Sequence, residues 1–220
     1  MWSSRRSLTY TNMVRSYPNI VVTGTPGTGK TTLSMQICEA FQDPSGSHPL
    51  RHINVGALVK EKGFQASYDA EWDSYEVDED QLLDYLEPLS GGTAPDPIDE
   101  DPEGCEQARE LASDDDTRGG LVLDWHTCEA WPERWVDLVL VLRCDHQRLW
   151  ARLEKRNYSE KKIAENNEAE IMGVVMEEAR ESYAPEAIVT LPSDTAEEMD
   201  ANVERVVSWI RAWRQQRGLP

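Results

Sequence analysis

The 220-residue sequence predicts an α/β fold, a five-stranded parallel sheet with helices on both faces. Three observations carry this. Short apolar runs rich in Val, Ile and Leu recur at 19–23, 121–123, 138–142 and 187–191, as strands buried on both faces require. Segments with helical spacing of apolar residues separate them, the alternation of a parallel sheet. A glycine-rich turn joins the first such run to the first helical segment.

The elements follow in order. The strand at 19–23 closes at Gly24, and a helix runs to about Phe41 with Leu33, Ile37 and Ala40 on one face. After a turn-rich loop at 42–49, residues 52–55 read as a second short strand. From Gly56 to about Leu89 the chain is helical in propensity and strongly acidic. Residues 90–119 hold ten acids, two basic residues and three prolines. So polar a stretch cannot offset its chain entropy, so it reads as a disordered or loosely held insertion, either a spacer or an acidic docking tail. Strands at 121–123, ending in Asp124, and at 138–142 come next. A helix is expected from about His146 to Arg156 and a single helix from about Ser159 to Ser182. The strand at 187–191 precedes a last helix that starts near Ser193 and Asp194 and carries Val203, Val206, Val207 and Ile210 on one face. Residues 1–17 have three arginines, no acid and no apolar core of a secretory signal, and read as a disordered extension. Order is expected from Pro18, in one domain over 18–220.

Charge narrows the function. Lys and Arg number 22 against 41 Asp and Glu, a net charge of −19. A main surface that grips nucleic-acid phosphate needs clustered cations, so sequence-specific nucleic-acid binding is not expected; a basic protein partner is. No apolar run approaches the ~20 residues of a membrane span. Cys38, Cys105, Cys128 and Cys144 form no CxxC pair and read as free thiols of a reducing compartment.

The stretch from Gly24 to Thr31 matches GxxxxGK[ST] between a strand and a helix, the context a P-loop demands. Gly27, Thr28 and Gly29 let the loop aim backbone N–H groups at phosphate oxygens, and the helix N-terminus adds its dipole. Lys30 is expected to neutralise the β- and γ-phosphates of a nucleoside triphosphate, and the Thr31 hydroxyl to ligate Mg²⁺. Asp124, at the end of its strand, is the second acid a P-loop needs for the metal. His126, two residues on, reads either as a surface residue or as a group that positions the water or acceptor attacking the γ-phosphate. Arg152 and Arg156 lie four apart on one helix face. They either close over the migrating phosphoryl group or form a solvated face with Glu154. Arg134 and Arg143 are further candidates of the same kind. Phe64, Tyr68, Trp72 and Tyr75 either stack on a base or form a subdomain core.

Several of these segments, in this order, resemble the adenylate kinase isoenzyme 6 family. They are the loop Gly24 to Thr32, the segment from Asn54, Val55 and Gly56 to 78–84, Asp124 to His126 with 132–135, and the stretch 152–163. Segments 177–183 and 191–193 extend the match, which covers about 18–89 and 120–213. Residues 1–17 and the insertion have no counterpart. The family is one of nuclear, coilin-interacting ATPases with a role in small-ribosomal-subunit maturation. The resemblance implies an adenylate-kinase-like core with an acceptor-nucleotide segment at 54–77, served by Asn54, Val55 and Gly56, and a short lid at 155–165. It implies that Gly27, Gly29, Lys30, Thr31 and Thr32 hold the ATP phosphates and that Arg156 packs on the adenine. Asp124 and His126 then become the Walker B acid and the catalytic histidine. The activity implied is Mg²⁺-dependent phosphoryl transfer from ATP to AMP with ATP hydrolysis beside it, catalysed by Lys30, Asp124, His126 and Arg152. The alternative is an ATP-driven assembly switch for a basic small-subunit ribosomal protein on the pre-ribosome, in nucleus and cytoplasm. Family members commonly read Asn-Val-Gly-Asp in the acceptor segment, where this chain has Ala57, a change that bears on AMP recognition and leaves ATP binding untouched. The lid carries fewer arginines than an ordinary adenylate kinase presents, which implies modest turnover and leakage to water.

Overall fold

A computed structural model describes residues 15–69, 74–91 and 119–219. The main sheet is five-stranded and parallel, in the order β2-β5-β1-β6-β7. Its strands are β1 (Ile20–Thr23), β2 (Arg51–Asn54), β5 (Leu121–Asp124), β6 (Leu138–Arg143) and β7 (Ile188–Pro192). Every side chain of β1 and β5 is buried, as the continuous apolar runs require of central strands, whereas the edge strand β2 is half-buried throughout. The register sets Val22 and Asn54 on either side of Asp124, so the carboxyl ends of β1, β2 and β5 open at one edge.

Alternation along the strands divides the core in two. Ile20, Val22, Leu138, Leu140 and Leu142 face α1 (Lys30–Ala40) and the C-terminal helix α7 (Ala196–Gln216), which bring Leu33, Ile37, Val206 and Ile210. Val21, Leu121, Leu123, Val139 and Val141 face the other side. They meet Val55 and Val59 of α2 (Val55–Lys62), Leu82 and Leu86 of α3 (Glu79–Leu86), and Met176 and Ala179 of α6 (Val174–Ser182). Each fully buried Leu or Ile contributes about 1.5–3 kcal/mol, so the two faces hold the sheet between helix layers. A third, smaller cluster of Leu149, Leu153 and Ile163 packs α4 (His146–Lys155) on α5 (Glu160–Met172).

Three expectations are corrected. The stretch from Gly56 to Leu89 is not all helical. Gly63, with φ +77°, ends α2, and β3 (Gln65–Asp69) pairs antiparallel with β4 (Ser74–Val77) before α3 begins at its cap Asp78. Phe64 and Val77 pack on the core, so tertiary burial overrides the helical propensity of the surrounding Glu and Lys. The single helix expected to Ser182 breaks at Gly173, whose φ of +71° terminates α5 and starts α6. Order also reaches back beyond Pro18. Arg15 donates to the carbonyls of Ser90, Arg134 and Trp135 and pairs with Asp137, and Tyr17 bridges to Gly119. Likewise Ser90, Gly91 and Gly119, at the ends of the insertion expected to be loose over 90–119, are buried, while 92–118 of the insertion and 1–14 of the extension lie outside the described residues. No described helix is long and apolar enough to cross a membrane. Cys38, Cys128 and Cys144 are free thiols, and Cys105 lies outside the described residues.

Candidate active site

The P-loop joins β1 to α1 and shapes itself from within. Thr25 is the pivot: its carbonyl accepts from the Thr28 amide, the Thr28 hydroxyl and Lys30 Nζ. Its own hydroxyl donates to Glu170 Oε2 at 2.6 Å. Glu170 Oε1 accepts from Arg143 Nε at 2.6 Å and the Cys144 amide at 3.0 Å, so a buried carboxylate of α5 braces the loop against β6. Gly24 must be glycine, since its φ is +144° and a Cβ there would meet the Leu142 carbonyl at 2.7 Å.

Helix α1 is built to receive an anion. Five of the other described helices carry side-chain caps: Asn54 on α2, Asp78 on α3, Asp145 on α4, Ser159 on α5 and Thr195 on α7. Helix α1 instead begins at Gly29 with no capping side chain and no acid in its first turn. Its free N–H groups and dipole are left for phosphate oxygens. Lys30 Nζ lies on the carbonyls of Gly24 (2.6 Å) and Thr25 (3.1 Å). Burial lowers its pKa to about 8; Arg156 adds to this, while Asp124 and Glu170 oppose it.

Across from Lys30, three elements converge on one carboxylate. Asp124 Oδ2 accepts from Thr31 Oγ1 at 2.6 Å, Asn54 Nδ2 at 2.7 Å and His52 Nε2 at 3.4 Å. Burial pushes this carboxyl up, but the bonds from His52, Thr31 and Asn54 and the Lys30 charge outweigh it, leaving its pKa below the usual carboxylate range. Asp124 is therefore ionised at neutral pH. An ionised carboxylate beside a hydroxyl is a hard oxygen pair of the kind Mg²⁺ takes from a protein when phosphates and water complete its shell. Thr31 and Asp124 fit that ion and would hold it. When bound, it would neutralise charge on the β- and γ-phosphates.

His126 stands exposed at the mouth of the cleft, edge-on to Trp125 at 5.3 Å. The crowding of the cleft walls and the Lys30 charge hold its imidazole below the ordinary histidine pKa. It is neutral at pH 7 and able to accept a proton.

The space around the loop has two sides. One cavity of about 250 Å³ is bounded by Pro26, Lys30, Asn54, Asp124, His126 and Arg156. Another, of about 340 Å³, lies over Gly27, Thr32 and Gln36, with Arg152, Arg156 and Met199 on its far wall. Arg156 borders both and is exposed between them. The structure thus brings Gly27, Gly29, Lys30, Thr31, Thr32, Asn54, Gly56, Asp124, His126 and Arg156 together.

Other expected site residues are placed differently. Arg152 lines the cavity over Gly27 and Thr32, with its guanidinium spent on the Asp194 carbonyl (3.0 Å), the Gly27 carbonyl and Cys144 Sγ. It props the loop from outside. Thr28 turns inward, and its hydroxyl and amide are both used on Thr25. Val55 is fully buried in the core, so its side chain cannot reach an acceptor. Arg134 pairs with Glu87, and Arg143 serves Glu170. Phe64 packs on Tyr85 at 5.8 Å in the subdomain core; the side chains of Tyr68 and Tyr75, and all of Trp72, lie outside the described residues. Within the stretch 155–165 expected as a lid, 156–159 are non-helical, turning at Asn157 with φ +57° before Ser159 caps α5.

Sequence reading missed His52, Glu170 and Ser193. His52 lies two positions before Asn54 on β2, hence on its face, and that spacing was a usable signal. Ser193, whose hydroxyl donates to the Thr28 carbonyl, and Glu170 gave no local sign of their long-range contacts.

The comparisons agree with this geometry. A family profile described as "AAA domain" matches residues 20–173. The Adenylate kinase isoenzyme 6 homolog of Schizosaccharomyces pombe is 43% identical over 204 residues, covering 93% of this chain and 98% of that protein. That of Dictyostelium discoideum is 39% identical over 205 residues, covering 93% and 98%. The Saccharomyces cerevisiae homolog FAP7 is 40% identical over 199 residues, covering 90% and 85%. With a complete P-loop, a second acid bonded to it and relatives matched over nearly their whole length, the chain belongs to the adenylate kinase isoenzyme 6 family of P-loop nucleotide kinases.

Proposed function

We propose that the chain transfers the γ-phosphoryl group of Mg·ATP to AMP, giving two ADP, and loses some of that group to water. The observation that carries this reading is the double use of Asp124. Its Oδ2 accepts both from Thr31 of the P-loop and from Asn54, which caps the acceptor-segment helix α2 through its Oδ1. The phosphate-binding loop and the acceptor segment are thereby held side by side, the proximity that transfer between two bound nucleotides needs. Lys30 and the loop amides stabilise developing charge, and neutral His126 takes or orients the proton of the attacking group. Arg156 packs on the adenine. The relatives' names support adenylate kinase chemistry, and Ala57, exposed on α2, leaves the AMP side with one carboxylate fewer than the family pattern.

A second reading is favoured by the charge of −19. ATP binding and hydrolysis would drive a switch that places or releases a basic small-subunit ribosomal protein during maturation of the subunit and its rRNA, in nucleus and cytoplasm. Chromatography of nucleotides after mixing purified protein with Mg·ATP, with and without AMP, separates the two. Formation of ADP at twice the rate of AMP loss supports the kinase. Constant AMP while ATP falls to ADP and phosphate supports the switch. Lys30→Ala abolishes either activity if the site is assigned correctly.

A further inference from the structure

At the junction of α5 and α6 three large apolar side chains face solvent side by side. Ile171, Met172 and Val174 are 64%, 72% and 44% exposed. Gly173 turns the chain between them in a left-handed conformation, and a Cβ there would lie 3.5 Å from Arg143 Nη1. The other exposed large apolar residues among those described, Met35 and Trp150, stand singly on α1 and α4. Scattered apolar residues are ordinary on a surface, but a contiguous group is the mark of a contact site.

The flanks of the group are acidic. Glu168 is exposed one turn before it, Glu177 and Glu181 one and two turns after, with Glu177 already paired to Arg180. A second copy of this chain would bring another net charge of −19 against them, so self-association is disfavoured. An apolar segment flanked by Lys or Arg satisfies both the patch and its rim.

The patch is joined to the nucleotide loop. Glu170, immediately before Ile171, is the buried carboxylate that holds Thr25, and its carbonyl accepts from Arg143 Nη2 at 2.6 Å. Thr25 in turn holds Lys30. A load on Ile171 and Met172 reaches Lys30 through two hydrogen bonds and no flexible segment.

We propose that Ile171, Met172 and Val174 dock a basic protein partner through an apolar segment flanked by Lys or Arg, and that docking is transmitted to the P-loop through Glu170 and Thr25. This rests on the basic-partner reading above and adds where the partner sits and how nucleotide feels it. By linkage, nucleotide must change partner affinity by the same factor as the partner changes nucleotide affinity.

The test uses the full chain and purified basic small-subunit ribosomal proteins, each labelled and titrated in turn by fluorescence anisotropy. For the protein that binds, the triple variant Ile171→Ser, Met172→Ser, Val174→Ser should weaken binding about tenfold or more. Its ATP turnover without partner should stay at the wild-type level, which shows that it is folded. In the wild type Mg·ADP should change partner affinity about fivefold, and Glu170→Gln should shrink that factor towards one. Unchanged partner affinity in the triple variant overturns the docking site and leaves the basic-partner reading intact. Binding of none of these proteins by the wild type overturns both, while the nucleotide assay still decides the kinase. An undiminished nucleotide effect in Glu170→Gln overturns the transmission route. A wild-type dimer in sedimentation that the triple variant abolishes assigns the patch to a second copy and overturns the partner.

Discussion

Thr31 Oγ1 donates to Asp124 Oδ2 at 2.6 Å, so the first turn of α1 and the end of β5, 93 positions apart, share one hydrogen bond. The bond links the phosphate-binding loop to the acid that faces it, and Asn54 ties the same carboxylate to the acceptor segment. Loop, acid and acceptor segment are therefore joined at one carboxylate, and each join can be tested one at a time.

Asn54 does two jobs that separate experimentally. Its Nδ2 orients Asp124, while its Oδ1 accepts from the Ala57 amide and caps α2. Asn54→Ala should weaken the apparent Mg²⁺ affinity in turnover assays about 10–100-fold, the usual effect of losing a group that orients a ligand. It should also cost about 1 kcal/mol in urea unfolding through the lost cap. Asn54→Ser keeps a cap but not the reach to Asp124, and should restore stability without restoring Mg²⁺ affinity.

Lys30 makes ATP binding depend on pH. Its folded pKa of about 8 lies below the ordinary 10.5, so the folded protein binds this proton more weakly than the unfolded chain. The lysine thus costs stability below pH 8, and that cost fades as pH rises from 8 to 10.5, where only the unfolded chain is protonated. Phosphates reverse the shift by favouring the charged form. ATP binding should take up a proton between about pH 8 and 9.5, visible in titration calorimetry as a heat that varies with buffer ionisation enthalpy. Lys30→Met should abolish that uptake.

The brace under the P-loop should be measurable in stability. Thr25→Val keeps the shape but removes the hydroxyl that reaches Glu170 Oε2, leaving a buried carboxylate oxygen unbonded. A loss of about 1–3 kcal/mol is expected in chemical denaturation, with weaker ATP binding as the loop loosens. Thr25→Ser, which retains the hydroxyl, should recover most of both.

Helix α7 opens with a capping box in which Thr195 accepts from the Glu198 amide and Glu198 returns a bond to the Thr195 amide. The same turn borders the larger cavity beside Arg152. Thr195→Ala should cost about 1 kcal/mol. In differential scanning calorimetry that is a fall of roughly 2–4 °C in Tm for a domain of this size. Thr195→Asp, which can accept the same bond, should leave Tm near the wild-type value.

Local pattern exposed what local physics determines. The P-loop and Asp124 were legible because glycine spacing, a following helix and a strand-end acid lie within short windows of sequence. The inner strands β1, β5 and β6 were legible because burial on both faces forces unbroken apolar runs. The β3–β4 hairpin was hidden, since its residues read as an acidic helix and what makes them strands is their pairing with each other, anchored on the core by Val77. Arg152 was misplaced for a related reason. Its i,i+4 spacing with Arg156 is visible, but the carbonyls of Gly27 and Asp194 that consume its donors come from distant elements. Glu170 was invisible because nothing distinguishes it from its neighbouring glutamates until β6 and the P-loop close around it.

The Arg15 clasp has a consequence for how this chain can change length. Its guanidinium and stem lie against Ser90, Gly91 and Gly119, and the Gly119 amide donates to the Leu89 carbonyl at 3.0 Å. The two stumps of the segment between them thus touch, at the edge where β1 and β5 begin, on the side of the sheet away from the nucleotide. When stumps already meet, doubling the chain strung between them adds only about 0.6 kcal/mol of closure entropy. Evolution can therefore write, lengthen or erase sequence there with almost no thermodynamic penalty and no disturbance to catalysis. That position is a natural port for grafting new sequence, and a short Gly-Ser bridge in place of 92–118 should leave melting temperature and nucleotide turnover essentially where they are.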